Sequence, residues 1–64
     1  MTQINGQPVN ATGLTLAAYL QQAGYRLERI AVEYNGSIVP RSLYDQTVLT
    51  DEDKLEIVQF VGGG

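Results

Sequence analysis

The dipeptide Asn-Gly occurs twice in this chain, at Asn5-Gly6 and Asn35-Gly36, each time between two short extended runs. Asn and Gly tolerate the positive φ that a two-residue hairpin turn demands at both central positions, so each pair predicts a β-hairpin. The first joins a short strand ending at Ile4 to a second one through Gln7-Pro8-Val9-Asn10. Pro8 cannot donate to a ladder, which places that second strand at an edge. The second hairpin joins Ile30-Ala31-Val32-Glu33-Tyr34 to Ser37-Ile38-Val39-Pro40. Period-two alternation puts Ile30, Val32 and Tyr34 on one face and Ala31 and Glu33 on the other, the pattern of a half-buried strand.

Between the hairpins lies one helical segment. Leu16, Leu20 and Ala23 recur at i, i+4 and i+7 and predict an apolar stripe over about three turns. Thr15 is suited to the N-cap, and Gly24 to the left-handed position that ends a helix. After the second hairpin, Arg41-Ser42-Leu43-Tyr44 can form one short helical turn. Thr47-Val48-Leu49 and the polar turn Thr50-Asp51-Glu52-Asp53 then lead into a last strand, expected inside the sheet. The order predicts an α+β fold, a small mixed sheet of four to five strands packed on one main helix. Ile4, Leu16, Leu20, Val32, Leu55 and Ile57 form the expected core.

The last strand runs through Ile57-Val58-Gln59-Phe60-Val61 directly into Gly62-Gly63-Gly64, with no polar spacer after Gln59. Side chains stop where the glycines begin, leaving bare backbone that can enter a channel closed to any Cβ. Three extended residues reach about 10 Å, enough to carry a carboxylate into another protein's active site. The expected division is a domain over residues 1–61 and a flexible glycine tail over 62–64. If Leu55 and Ile57 face inward, Val58 and Phe60 lie on the open face. With Val61 they are the candidate partner-binding residues.

Composition narrows the chemistry. Sixty-four residues make one domain. The absence of Cys and His removes thiolate chemistry, disulfides, Cys-type metal sites and the usual near-neutral acid or base, and the acids are spread along strand ends and turns, so neither a metal site nor catalysis by the chain alone is expected. Seven acids against four bases give a net charge of −3, and Arg26, Arg29, Arg41 and Lys54 are not expected to cluster. Nucleic acid is therefore a poor fit as partner. The opening residues Met1-Thr2-Gln3-Ile4 carry no basic and apolar leader pattern, and no apolar run has the length of a membrane span. A soluble, cytoplasmic protein, monomeric on its own, is the expectation.

Three segments carry a resemblance: Asn35-Gly36-Ser37-Ile38-Val39-Pro40-Arg41-Ser42, then Leu49-Thr50-Asp51-Glu52-Asp53-Lys54-Leu55-Glu56-Ile57-Val58, and the ending Val61-Gly62-Gly63-Gly64. Together with the small size, they are similar to the ThiS family, the ubiquitin-like β-grasp sulfur carriers of thiamine thiazole synthesis. Glu52 departs from the glycine common in that family between the two aspartates, which bears on the turn more than on the chemistry, since a type I turn accepts it. The resemblance implies that the carboxylate of Gly64 is adenylated by a ubiquitin-activating-like enzyme of the ThiF type, with that enzyme's ATP and Mg²⁺ and no cofactor bound to the carrier. A persulfide donor then supplies sulfur for a C-terminal thiocarboxylate, which is delivered to a ThiG-type thiazole synthase. Gly62 and Gly63 form the arm. Two related readings stay open at this point, the small subunit of molybdopterin synthase and a ubiquitin-like modifier, together with a plain binding module with an inert tail.

Overall fold

The structure is a computed structural model that describes residues 1–60. Five strands and one α-helix form it: β1 (Thr2–Ile4), β2 (Gln7–Val9), α1 (Leu16–Gln22), β3 (Ile30–Tyr34), β4 (Ser37–Ile38) and β5 (Lys54–Gln59). Short 3₁₀ turns at Leu27–Arg29 and Arg41–Leu43 complete it. The second of these is the helical turn expected from the sequence, and the first was not anticipated.

The sheet order is β2-β1-β5-β3-β4. Both hairpins form, β1 with β2 and β3 with β4, each antiparallel. Their turns use positive φ at both central residues, 53° at Asn5 and 80° at Gly6, then 51° at Asn35 and 92° at Gly36. β5 enters between the hairpins, parallel to β1 and antiparallel to β3. The strand leading to the glycines is thus the central one, and the Pro8 strand is an edge.

Each Asn of the two turns also binds β5 with its side chain. Asn5 Oδ1 accepts the N–H of Ile57 at 2.7 Å, and its Nδ2 donates to the Ile57 carbonyl at 3.3 Å. A side-chain amide here takes the place of a backbone peptide group and continues the β1–β5 pairing where β1 turns away. Asn35 accepts the Lys54 N–H at 2.9 Å and donates from its own backbone to the Lys54 carbonyl at 2.8 Å.

Helix α1 crosses the inner face. Thr15 caps it, its Oγ1 accepting the N–H of Ala18 at 3.1 Å. The neighbouring N–H groups of Leu16 and Ala17 donate to the carbonyls of Thr47 and Tyr44, so the first-turn donors that a helix leaves without intrahelical partners are met. At the other end Gly24, at φ +85°, donates to Gln21, and Tyr25 donates to Leu20. This pair of bonds is the Schellman ending, and it stops the helix at seven residues, about two turns rather than the three expected.

The six anticipated core residues are all buried, and Ala11, Ile30, Tyr44 and Leu49 join them. The segment 47–49 is tied to the chain before α1 by a bridge between Thr15 and Val48, with the Leu49 N–H donating to Leu14 and the Gly13 N–H donating to Leu49. Glu52 needs no left-handed backbone. Among the described residues the non-glycine positions with positive φ are Asn5 and Asn35, so the departure from glycine at 52 is accommodated without strain.

Candidate docking face and tail exit

The inner row of β5 is Leu55 and Ile57, buried against α1. The outer row is Lys54, Glu56 and Val58, with Phe60 just beyond the strand. Val58 and Phe60 are 53% and 54% exposed, as the period-two reading placed them. Register adds a third apolar group that the sequence pattern did not single out. Val58 sits opposite Ala31, and one step along β3 Glu33 sits opposite both Glu56 and Ile38, which is 63% exposed. Ala31, Val58, Phe60 and Ile38 therefore share the open face. The signal for Ile38 was present in the Asn35-Gly36 hairpin, whose two-residue loop fixes which residues of β3 and β4 stand opposite one another.

The chain is held in the sheet up to Phe60, whose N–H donates to the Arg29 carbonyl at 2.7 Å. Val61, Gly62, Gly63 and Gly64, where the sequence reading placed the end of the partner surface, the arm and the reactive carboxylate, lie outside the described residues.

Around Phe60 the fold corrects the charge reading. Arg26, Arg29 and Arg41 stand apart in sequence, but Arg26 and Arg29 line a groove beside Phe60, and Arg41 lines a second groove that Phe60 also borders. The 3₁₀ turns contribute to this: Leu27–Arg29 leads directly into β3, which pairs with the end of β5, and Arg41–Leu43 follows β4, on the far side of β3. Among the described residues Glu28 is the one acid lining either groove. Its carboxyl lies below the ordinary value because its own backbone N–H and then the Arg26 guanidinium, 3.0 Å away, favour the charged form, with Arg41 adding to the effect.

The opposite end of β5 carries the buried charge. Asp53 is 6% exposed, and its carboxylate accepts three hydrogen bonds: the Tyr34 hydroxyl at 2.5 Å, the Thr50 N–H at 2.8 Å and Asn35 Nδ2 at 3.2 Å. Burial pushes its pKa up, and the bonds from Tyr34, Thr50 and Asn35 more than offset that, leaving it below the ordinary carboxylate value. The Tyr34 hydroxyl is pushed up to about 12, first by its bond to Asp53 and then by burial and the neighbouring charge. Among the described residues no group of three or more His, Cys, Asp or Glu is placed to hold a metal ion, and no helix is long and apolar enough to cross a membrane.

A mixed five-stranded sheet on one helix is the β-grasp arrangement the resemblance implied, and the C-terminal strand lies inside it as the order of elements predicted. The model of the ThiS family matches residues 2–64. The chain belongs to the ThiS family. It is 39% identical over 66 residues to the sulfur carrier protein ThiS of Bacillus subtilis (strain 168), covering the whole of both chains. A crystal structure of the thiamine biosynthesis protein ThiS from Geobacter metallireducens superposes with a TM-score of 0.78 at 31% identity, over 98% of this chain and 97% of that one. The chain is also 44% identical over 62 residues to a thiazole synthase of Magnetococcus marinus, spanning 95% of itself but 19% of that protein's length. The ubiquitin-like β-grasp fold and membership of a sulfur-carrier family of thiamine biosynthesis rest on these matches together with the topology.

Proposed function

We propose that the chain carries sulfur as a C-terminal thiocarboxylate on Gly64 and delivers it to a thiazole synthase. The observation that carries this reading is the position of β5, paired on both sides along its first half and held through Phe60, four residues from the terminal carboxylate in a chain matched to ThiS over residues 2–64. Such a scaffold presents its last residues without lending them side chains. The thiazole synthase of Magnetococcus marinus, part of which resembles this chain, supports an enzyme of that kind as the receiving partner.

The chemistry follows from the weakness of a carboxylate as an electrophile. A carboxylate oxygen of Gly64 attacks the α-phosphorus of ATP on a ThiF-type activating enzyme, releasing pyrophosphate and forming an acyl adenylate; Mg²⁺ belongs with the nucleotide. The terminal sulfur of a persulfide donor adds to the acyl carbon and AMP leaves, giving an acyl disulfide. A thiol then cleaves the S–S bond, forms a disulfide with the donor sulfur, and releases the thiocarboxylate. Gly62 and Gly63 pass through the activating enzyme's channel, while Val58, Phe60 and Val61 rest on its mouth. In this reading the chain is a co-substrate rather than an enzyme, binds no cofactor of its own, and works as a monomer in the cytoplasm.

The test is the intact mass of the protein after incubation with a ThiF-type enzyme, ATP, a persulfide source and a thiol. Exchange of one oxygen for one sulfur, mapped to Gly64, is the expected result. An unchanged mass, with the enzyme active on a known carrier, would refute the reading, and accumulation of covalent protein conjugates would favour a modifier instead.

A further inference from the structure

Positive charge gathers at the end of the sheet around Phe60. Arg26, Arg29 and Arg41 flank Phe60 with Glu28 as their one acidic neighbour in the two grooves, which leaves six of the seven acids against Lys54 for the remainder of the chain. Lys54 opens β5 at its far end, next to the turn of Asp51, Glu52 and Asp53. Both Arg29 and Arg41 are exposed, and neither takes part in a salt bridge among the described residues. Exposed guanidinium groups gathered around one aromatic side chain, on a chain whose net charge is −3, are not needed by the core.

We propose that these arginines are an electrostatic docking rim, and that the partner they fit is a protein surface bearing carboxylates around the mouth of the channel that receives the C-terminal residues. The proposal deepens the functional reading above and rests on it. Charge complementarity and place select this occupant. The positive groups surround the last residue held in the sheet, so a negative mouth would attract that end first and repel the acidic turn 51–53 at the far end of β5, with Glu33 and Glu56 on the open face between them. Orientation is then favoured before contact, which acts on the association rate and weakens as salt shortens the reach of the field. Phe60, in the middle of the rim, supplies apolar contact once the two surfaces meet.

The experiment measures both affinity for a ThiF-type activating enzyme and kcat/KM for adenylation, by pyrophosphate release, across a series of salt concentrations. For wild type both should fall as salt rises. The double variant R29E/R41E should lose about tenfold or more in kcat/KM at low salt, the scale of electrostatic steering, and its salt dependence should flatten or reverse. K54E removes the same charge per substitution at the opposite end of β5 and should stay within about twofold. Circular dichroism checks that each variant is folded, and R29Q/R41Q repeats the test with milder changes.

Adenylation that is insensitive to salt and to the arginine variants overturns the rim while leaving the functional reading in place. So does an equal loss from K54E, which would reduce the effect to net charge. Displacement of the chain by inorganic phosphate at constant ionic strength would mark the arginines as a small-anion site and also overturn the rim. Absence of adenylation with arginine-dependent binding overturns the functional reading alone, and absence of both overturns the two together.

Discussion

Replacing Asp53 with Asn should be among the most costly single-atom-scale changes in this protein. The carboxylate is nearly inaccessible and accepts three hydrogen bonds, from the Tyr34 hydroxyl, the Thr50 N–H and the Asn35 amide. An amide keeps the shape but has one acceptor oxygen, so at least one of three donors is left facing an NH₂ group. Hydrogen bonds to a buried charge contribute about 1.5–3 kcal/mol each, and a stranded donor costs about as much, which puts the substitution near 3 kcal/mol. At about 4–8 °C per kcal/mol for a domain of this size, the melting temperature should drop by about 12–24 °C.

The pH dependence supplies the sharper test. Asp53 has a folded pKa below its ordinary value of 3.8, so its stabilisation is present above that value and is lost as pH falls through the lower, folded one. Urea titrations should therefore show a gap between wild type and D53N that is constant near neutrality and closes below about pH 4. On the alkaline side Tyr34, raised from 10.0 to about 12, contributes stability that is complete below 10 and lost as pH rises through the folded value. Y34F should remove that alkaline loss at a cost of about 1.5–3 kcal/mol at neutral pH, the value of one bond to a buried charge, and most of the cost should disappear in the D53N background. A D53N penalty below about 1 kcal/mol, where three bonds to a buried charge call for more, or a gap that persists unchanged in acid, would refute the account.

Val58→Asp and Phe60→Asp should each reduce affinity for the activating enzyme by tenfold or more while shifting stability by less than about 0.5 kcal/mol, as expected for exposed positions; calorimetry and thermal melting separate the two. Gly63→Trp should abolish adenylation at an unchanged melting temperature, and normal adenylation of that variant would end the idea of a narrow channel. Glu33 stands directly opposite Glu56 on the open face, and like charges across a strand pair destabilise. Glu33→Lys should therefore stabilise the protein by about 0.5 kcal/mol, seen as a rise in melting temperature that shrinks with added salt.

Local rules carried most of the fold. The two Asn-Gly turns, the Thr15 cap, the Gly24 ending and the inward row Leu55 and Ile57 each depend on residues close in sequence, and each formed as expected. What was not legible depends on partners far along the chain. Asp53 looks like one acid in a polar turn, and only the approach of Tyr34 and Asn35, 19 and 18 residues away, makes it a buried hub. The spacing of Thr50 and Asp53, which lets the carboxylate cap its own turn, was the one available hint. The arginines were missed for a related reason, since their grouping is a product of sheet order and of the 3₁₀ turns, and neither leaves a periodic trace. Ile38 differs, because the Asn35-Gly36 turn sets it opposite Glu33 and its place on the open face was legible from that hairpin.

The contacts that fix β5 lie mainly at its start and middle, where Asp53, Asn35 and Asn5 hold Lys54 and Ile57 from both sides. Towards Phe60 the strand keeps its β3 pairing, but its outward side chains take no part in the core. This separation has a consequence for how the protein tolerates change. Substitutions at the exit, in Val58, Phe60, Arg29 or Arg41, alter a surface without touching what holds the strand, so they can be selected for fit to a partner. Substitutions at Asn5, Asn35 or Asp53 alter the hold itself and should reach the exit only by loosening β5. A scan of both groups, scored for melting temperature and for adenylation, should fall into two classes with little overlap. If exit variants instead lost stability in step with activity, the outer row of β5 would have to be a structural part of the sheet, and the docking face assigned to it would be wrong.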